Sequence, residues 1–207
     1  MAKYKNILSI LISRISLFNR FIINSNFNKH YNKNKSKIVS SIFTLILILM
    51  FFSNITSSIS VNRTIYVDDD GDADYNKIQD AINVANDGDT IFVYKGVYKE
   101  NLYVDKSIKL ISEDMNYTVI DGNEIDSVIK LLKNSISIEC FTITNSKNSS
   151  NSAGIEILSD QNTIKNNKII YNKGYGIYGE DLVSNDIISN YISHNYYDGI
   201  CLCGSFK

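Results

Sequence analysis

The C-terminal third of the chain repeats itself about every 23 residues, and this period constrains the fold more than any other feature. Gly176-Ile177 and Gly199-Ile200 lie 23 positions apart, and Gly154-Ile155 lies 22 positions before the first of them. The same 23-residue step separates further similar pairs: Ile164 and Ile187, Asn167 and Asn190, Ile169 and Ile192, Asn172 and Asn195. A period in this range is typical of a solenoid.

The repeating unit contains short strand patterns and no helical pattern, and a loop insertion around KNSSNS lengthens one copy. Repeated strands of this kind lie parallel to their copies, so the sequence predicts an all-β, right-handed parallel β-helix over residues 61–207, of about five coils. Ile155, Ile177 and Ile200 are predicted to stack as one internal column, and Ile169 and Ile192 as another. The repeated asparagines are predicted to form hydrogen-bonded ladders at the turns.

The start of this body has a different pattern. Thr64–Val67 alternates as a strand, an acidic turn follows, and Tyr75–Asn86 has apolar residues at helical spacing. We therefore predict a short N-terminal capping helix, with Asp74 as its N-cap.

The first sixty residues are typical of an export signal. Residues 1–37 form a basic leader, and residues 38–60 contain an uncharged apolar run followed by small polar residues. This order predicts a signal peptide cut near Val61, which places residues 61–207 outside the cell or on its surface. If the signal is not cut, residues 38–55 are expected to anchor the chain in the membrane.

The near-neutral net charge of −1 averages two unlike segments. Residues 1–60 hold eight basic residues and no acidic one, whereas the remainder holds 13 basic and 22 acidic residues. An acidic body argues against binding nucleic acid, because that binding depends on lysine and arginine contacts with phosphates.

The sequence resembles a known superfamily over about residues 64–205. Residues 64–114, TIYVDDDGDADYNKIQDAINVANDGDTIFVYKGVYKENLYVDKSIKLISED, resemble the N-terminal cap and first coil of pectin-lyase-like β-helix proteins, especially NosD-like and archaeal surface proteins. The later units NTIKNNKIIYN, GYGIYG and YDGICL resemble their repeats. The resemblance implies the right-handed β-helix, and it is poorly specific for function because this fold hosts many chemistries.

Aromatic residues are the strongest candidates for ligand binding. Tyrosine rings stack on sugar faces and offer a polar tip. The candidates cluster in the last two coils and comprise Tyr171, Tyr175, Tyr178, Tyr191, Tyr196 and Tyr197. The sequence therefore predicts an adhesin-like surface protein that binds a polysaccharide or cell-surface glycan without catalysis.

Two further kinds of site are predicted on the body. The acidic turn offers carboxylates to a calcium ion through Asp68, Asp70, Asp72 and Asp74, although it does not fit the EF-hand spacing. Asn62, Asn116 and Asn148 each begin an Asn-x-Ser/Thr motif and are candidate glycosylation sites in an exported protein.

Two alternative functions remain open. The first is a polysaccharide-active enzyme (lyase, esterase or hydrolase), because GVYKE (96–100) with IQDAI (78–82) resembles the start of pectin methylesterases. Against it, we expect no carboxylate pair at one-coil spacing, and Arg63 is expected to precede the fold. Cys201 and Cys203 are predicted to point out on one side of a strand, which leaves a NosD-like copper accessory role as the other alternative. With the loop residue His194 they do not fill a tetrahedral site.

The repeat also stops early. The last residues match only the start of a strand and turn, and an open rung is an unpaired edge. We expect that the chain is truncated relative to a longer repeat protein, or that it caps this edge by pairing with another molecule.

Overall fold

The computed structural model describes residues 62–204 and the single residue Ser41. The predicted leader, signal and anchor segments therefore lie outside the described residues, apart from Ser41. Within the described part, no helix is long and apolar enough to cross a membrane. The same part contains one short helix, α1 (Ile78–Val84), and sixteen short strands.

The strands follow one another in groups of three around the solenoid. They are β1 (Thr64–Val67), β2 (Thr90–Val93), β3 (Gly96–Lys99), β4 (Leu102–Val104), β5 (Lys109–Ser112), β6 (Thr118–Asp121), β7 (Ile129–Leu131), β8 (Ser137–Glu139), β9 (Thr142–Thr144), β10 (Ala153–Ile157), β11 (Thr163–Lys165), β12 (Lys168–Ile170), β13 (Tyr175–Glu180), β14 (Asp186–Ile188), β15 (Tyr191–Ser193) and β16 (Ile200–Cys203).

Three parallel sheets run along the solenoid. Sheet A joins β1, β2, β5, β8, β11 and β14, sheet B joins β3, β6, β9, β12 and β15, and sheet C joins β4, β7, β10, β13 and β16. Each strand pairs in parallel with the strand one coil away. This arrangement confirms the predicted parallel β-helix. The first turn is β1 with α1, and five three-strand coils follow, which gives about six turns where the sequence predicted about five.

Columns of aliphatic side chains fill the interior. Ile155 pairs in register with Ile177, and Ile177 with Ile200, as predicted. Ile169 and Ile192 form the second predicted column in sheet B. Because each coil presents the same inward position, the repeat buries a continuous core of isoleucine, leucine and valine.

Asparagine ladders join the coils at three corners. The side-chain oxygens of Asn162, Asn167 and Asn172 accept backbone N–H groups of the preceding coil at 2.9, 3.0 and 3.1 Å. Asn190 and Asn195 repeat this contact one coil later, at 2.9 and 3.1 Å. The predicted ladders are therefore confirmed, and the ladder through Asn162 is an additional one.

The capping helix is shorter than predicted, and its cap is different. Asp74 does not cap α1, because its carboxylate accepts the backbone N–H of Tyr66 at 2.8 Å. Glu100 from the next coil accepts the first helical N–H groups instead, from Ile78 at 2.9 Å and Gln79 at 3.0 Å. A carboxylate at a helix N-terminus accepts hydrogen bonds from N–H groups that have no partner within the helix, and its negative charge interacts favourably with the helix dipole.

Arg63 belongs to the fold, so the prediction that it precedes the fold was wrong. Its Nε lies 2.9 Å from a carboxylate oxygen of Asp89, and its carbonyl accepts the N–H of Thr90 at 2.9 Å. Burial alone would raise the pKa of Asp89. The hydrogen bonds from the N–H groups of Asn86 and Arg63, and from the Arg63 side chain, outweigh burial and lower this pKa.

Candidate functional site

The solvent side of sheet C, here called the sheet C face, carries aromatic, charged and thiol side chains. One outward column runs in register through five coils: Tyr103, Lys130, Glu156, Tyr178 and Cys201. Successive residues of the column lie on neighbouring strands about 4.8 Å apart. The predicted stacking of Glu156, Tyr178 and Cys201 is confirmed.

A polar cluster forms the N-terminal half of this face. The Lys130 ammonium lies 3.0 Å from a carboxylate oxygen of Asp126 and 3.3 Å from one of Glu156. The Tyr103 hydroxyl donates to Asp126 at 2.9 Å, and the Ser127 hydroxyl donates to Glu156 at 2.7 Å. One lysine thus holds two carboxylates of neighbouring coils together.

The cluster keeps its charges. Burial alone would raise the pKa of Asp126, but hydrogen bonds from Lys130, the Ser127 N–H and Tyr103 outweigh it and lower this pKa. Burial alone would lower the pKa of Lys130, but the two carboxylates raise it. Asp126 and Lys130 are therefore held as an ion pair at neutral pH.

The two carboxylates are not a pair at one-coil spacing, because the residue in register with Glu156 on β7 is Lys130. Asp126 lies in the turn before β7, outside the strand positions that repeat, whereas Glu156 lies in β10 one coil later. Repeat spacing therefore could not relate the two residues. Their approach depends on Lys130, which contacts both.

The loop insertion lies against this cluster. It starts after β9 and ends at β10, and the Lys147 N–H donates to the carbonyl of Asp126 at 3.0 Å. A cavity of about 210 Å³ lies between loop and sheet, lined by Asp126, Ser127, Lys130, Lys147, Ser149, Asn151, Ser152 and Glu156. All eight lining residues are polar, so the cavity suits a hydrogen-bonding ligand.

Four of the six predicted tyrosines form one array at the C-terminal end of the sheet C face. Tyr175 stacks on Tyr178 with ring centroids 5.2 Å apart and contacts Tyr197 at 5.0 Å. Tyr196 meets Tyr197 edge-on at 5.1 Å. Tyr196 and Tyr197 are 71% and 38% exposed, whereas Tyr178 is only 8% exposed and supports the array from below.

The other two predicted tyrosines lie elsewhere. Tyr171 sits at a corner and contacts the ring of His194 at 5.0 Å, and Tyr191 belongs to β15 of sheet B. The six residues therefore do not share one face of the solenoid.

A second aromatic group was not predicted. Tyr66, Phe92 and Tyr94 contact one another on the outside of sheet A, with centroid distances of 5.2–6.1 Å. Tyr66 lies in β1, Phe92 in β2 and Tyr94 directly after β2. Their outward places in an alternating pattern are the sequence signal that would have identified them.

A pair of thiols ends the outward column. The sulfurs of Cys201 and Cys203 lie 2.9 Å apart on the outer side of β16, as predicted from strand alternation. The hydrogen bond with Cys203, together with burial and nearby negative charge, raises the pKa of Cys201 to about 11. At the neighbouring rung, Tyr178 donates to Glu180, and this bond, with burial, raises the pKa of Tyr178 to about 12.

The acidic turn brings together a different set of residues from the predicted calcium ligands. Carboxylate oxygens of Asp68, Asp69 and Asp70 lie within 4.8 Å of one another, without Asp72 and Asp74. Asp69 also accepts the N–H of Val97 at 3.0 Å, which gives it a structural role. Calcium binding at this turn stays a prediction.

The three candidate glycosylation sites are exposed. Asn62, Asn116 and Asn148 all lie on the surface of the described body. Asn148 belongs to the loop insertion and lies 3.5 Å from the Tyr197 hydroxyl. Glycosylation of these residues stays a prediction.

Stacked coils and three parallel sheets define a right-handed parallel β-helix protein of the pectin-lyase-like kind. Residues 82–207, more than half of the chain, match the model of the NosD family, described as periplasmic copper-binding protein (NosD). The chain belongs to the NosD family. The periplasmic description of that family agrees with the predicted export of residues 61–207.

Solved structures with a similar fold include two pectin methylesterases. Pectin methylesterase PemA from Erwinia chrysanthemi is 18% identical over 57% of this chain and 48% of its own, with a TM-score of 0.44. A pectin methylesterase in complex with hexasaccharide VII is 16% identical over 69% of this chain and 66% of its own, with a TM-score of 0.45. The chain thus spans about half the length of the first. No match was found among curated proteins.

Proposed function

We propose that the chain is an exported β-helix protein that binds a polysaccharide or cell-surface glycan along the sheet C face without cleaving it. The observation that most directly supports this proposal is the tyrosine array, which offers apolar ring faces edged by hydroxyl groups. It consists of Tyr175, Tyr178, Tyr196 and Tyr197. Sugar rings stack on such surfaces because the aromatic body is apolar and its tip forms hydrogen bonds.

The polar cavity beside the array supports the same proposal. Glu156 and Tyr178 are direct neighbours on β10 and β13, so a chain lying along the solenoid axis meets the cavity and then the array. Carboxylates accept hydrogen bonds from sugar hydroxyls, and the lysines donate to sugar oxygens. The charges of Asp126, Glu156, Lys130 and Lys147 balance, which suits an uncharged, hydroxyl-rich glycan.

The ionisation of Asp126 supports binding without cleavage. Glycoside hydrolysis needs one carboxylic acid kept protonated, by a raised pKa, beside an ionised partner. The pKa of Asp126 is lowered instead, and Lys130 bridges the space between the two carboxylates. The arrangement favours fixed hydrogen-bonding charges over proton transfer.

A glycan array with full-length protein tests this function, followed by titration with any oligosaccharide retained. Replacing Tyr196 and Tyr197 together by alanine removes two exposed rings. At about 0.5–1.5 kcal/mol for each ring, we expect affinity to fall roughly 5- to 150-fold. Tyr191→Ala is the matched control, because Tyr191 is 57% exposed in the same coil but belongs to sheet B.

Two outcomes would contradict the proposal. Equal losses in the Tyr191 control and in the double variant would show that the array is not the binding surface. Release of reducing ends or unsaturated products from the bound glycan would show that the protein is an enzyme.

Copper handling is the second candidate function. It is favoured by the description of the family as copper-binding and by the close pair of thiols, Cys201 and Cys203, on the sheet C face. Thiolates are soft ligands, and soft ligands favour copper in its reduced, monovalent state.

A further inference from the structure

The two thiols at the end of the sheet C face are positioned by the sheet. In β16, Cys201 pairs in register with Tyr178 and Cys203 with Glu180 on β13. Strand alternation points both side chains outward, and their sulfurs lie 2.9 Å apart. Cys201 is half-buried and Cys203 is exposed, so an ion arriving from solvent meets both sulfurs.

A disulfide within this pair would lie at the limit of the usual geometry. Residues two apart in an extended strand have Cα atoms about 6.7 Å apart, at a rise of roughly 3.3 Å per residue. Disulfides usually join Cα atoms separated by about 4.4–6.8 Å, so this pair lies at the outer limit. The pairing of β16 with β13 opposes the bending that would bring the two Cα atoms closer.

The donor set also distinguishes between metals. Among the described residues, no third cysteine, histidine or carboxylate atom lies close enough to join the two sulfurs in one site. Structural zinc needs four ligands, so two thiols do not form such a site. Monovalent copper is satisfied by two thiolates, and soft sulfur donors select it over harder ions.

Copper binding at the two sulfurs is an exchange of two protons for one ion. Two thiolates and one Cu⁺ ion carry a net charge of −1, and each thiol releases one proton to solvent as its Cu–S bond forms. Copper stays monovalent throughout, so the step requires no oxidant or reductant.

We propose that Cys201 and Cys203 form a two-coordinate Cu(I) site at the C-terminal end of the sheet C face. This inference rests on copper handling, the second candidate function, and is independent of glycan binding. The site is at the surface and has two ligands, which suits an ion that is accepted and passed on. The remaining cysteine, Cys140, lies at a corner between β8 and β9 and is not part of the site.

Anaerobic competition between the reduced full-length protein and the Cu(I) chelator bicinchoninate tests the proposal. We expect the wild-type protein to retain one Cu(I) per chain and X-ray absorption to report two sulfur neighbours. Cys201→Ser and Cys203→Ser should each weaken binding about 100-fold or more. Cys140→Ser is the matched control and should leave the affinity unchanged.

A further variant separates loss of a ligand from loss of the fold. Cys203→Met keeps a soft sulfur at an exposed position, so it should recover part of the affinity that Cys203→Ser loses. Retention of Cu(I) by the Cys201→Ser/Cys203→Ser double variant would overturn this site while leaving copper handling intact. Failure of the wild-type protein to retain Cu(I) would overturn both.

Discussion

The asparagine ladder formed by Asn167 and Asn190 allows a quantitative test. Both side chains make the same contact, Asn167 in the interior and Asn190 in the last described coil. Asn167 is buried; its side chain accepts the Phe141 N–H at 3.0 Å and donates to the Ile138 carbonyl at 2.8 Å. Asn190 makes the equivalent contacts one coil later, but it is only half-buried.

Asn167→Ala should therefore cost more stability than Asn190→Ala. In the interior, the Phe141 N–H loses its acceptor, and a buried unsatisfied donor costs about 1–3 kcal/mol. Loss of the second bond and the small void bring the expected total to about 3 kcal/mol. Where water can replace the amide, as at Asn190, the net loss of a hydrogen bond is about 1 kcal/mol.

Urea denaturation followed by far-ultraviolet circular dichroism measures this difference. With a slope of about 2 kcal/mol per molar urea, the midpoint should fall by about 1.5 M for Asn167→Ala and about 0.5 M for Asn190→Ala. Because coils of a solenoid can unfold separately, exchange of the Phe141 amide hydrogen gives a local measurement. Equal midpoints, or unchanged exchange at Phe141, would refute the assignment of the ladder as a stabilising contact.

Three further predictions concern the repeat and its first coil. A Cβ on Gly176 would collide with the Gly199 carbonyl, so Gly176→Ala should cost about 1–3 kcal/mol in urea denaturation, whereas Gly199→Ala, with only a 3.4 Å contact, should be neutral. Gln161 has a φ of 59°, so Gln161→Val should cost about 1–2 kcal/mol and Gln161→Asn almost nothing, measured in the same way. Folding lowers the pKa of Asp89, so ionised Asp89 stabilises the fold at pH values above its unfolded pKa of about 3.9. The wild-type protein should therefore be more stable than Asp89→Asn at neutral pH. This difference, measured by thermal unfolding, should disappear as the pH falls below about 3.9 and Asp89 becomes protonated in the folded protein.

The interior of the protein was predictable because the repeat determines it. Columns such as Ile155, Ile177 and Ile200 follow from a period of 22–23 residues, since any other register would expose them. The ladder asparagines were predictable for the same reason. The N-terminal cap occurs once, so no periodicity constrains it, and the carboxylate that binds α1 comes from Glu100, more than twenty residues later.

The candidate site was predictable only in part. Strand alternation placed Glu156, Tyr178 and Cys201 outward, and the structure agrees. Strand alternation could not show that Tyr178 is buried, because its burial depends on the side-chain conformation of Tyr175, whose ring stacks on it. It also could not bring Asp126 to Lys130, because a turn residue has no repeated position from which to infer its direction.

These successes and failures have a common cause in the geometry of a solenoid. Side chains at inward positions pack against the equivalent side chains of the coils on both sides. They therefore stay apolar from coil to coil, as in the aliphatic core columns. Outward positions meet solvent and are free to change from coil to coil. The outward column of sheet C does change, from Tyr103 and Lys130 to Glu156, Tyr178 and Cys201, and the loop insertion interrupts the repeat beside it. In a chain of this kind, periodicity predicts the fold, and the places where outward residues depart from it indicate where to look for a ligand.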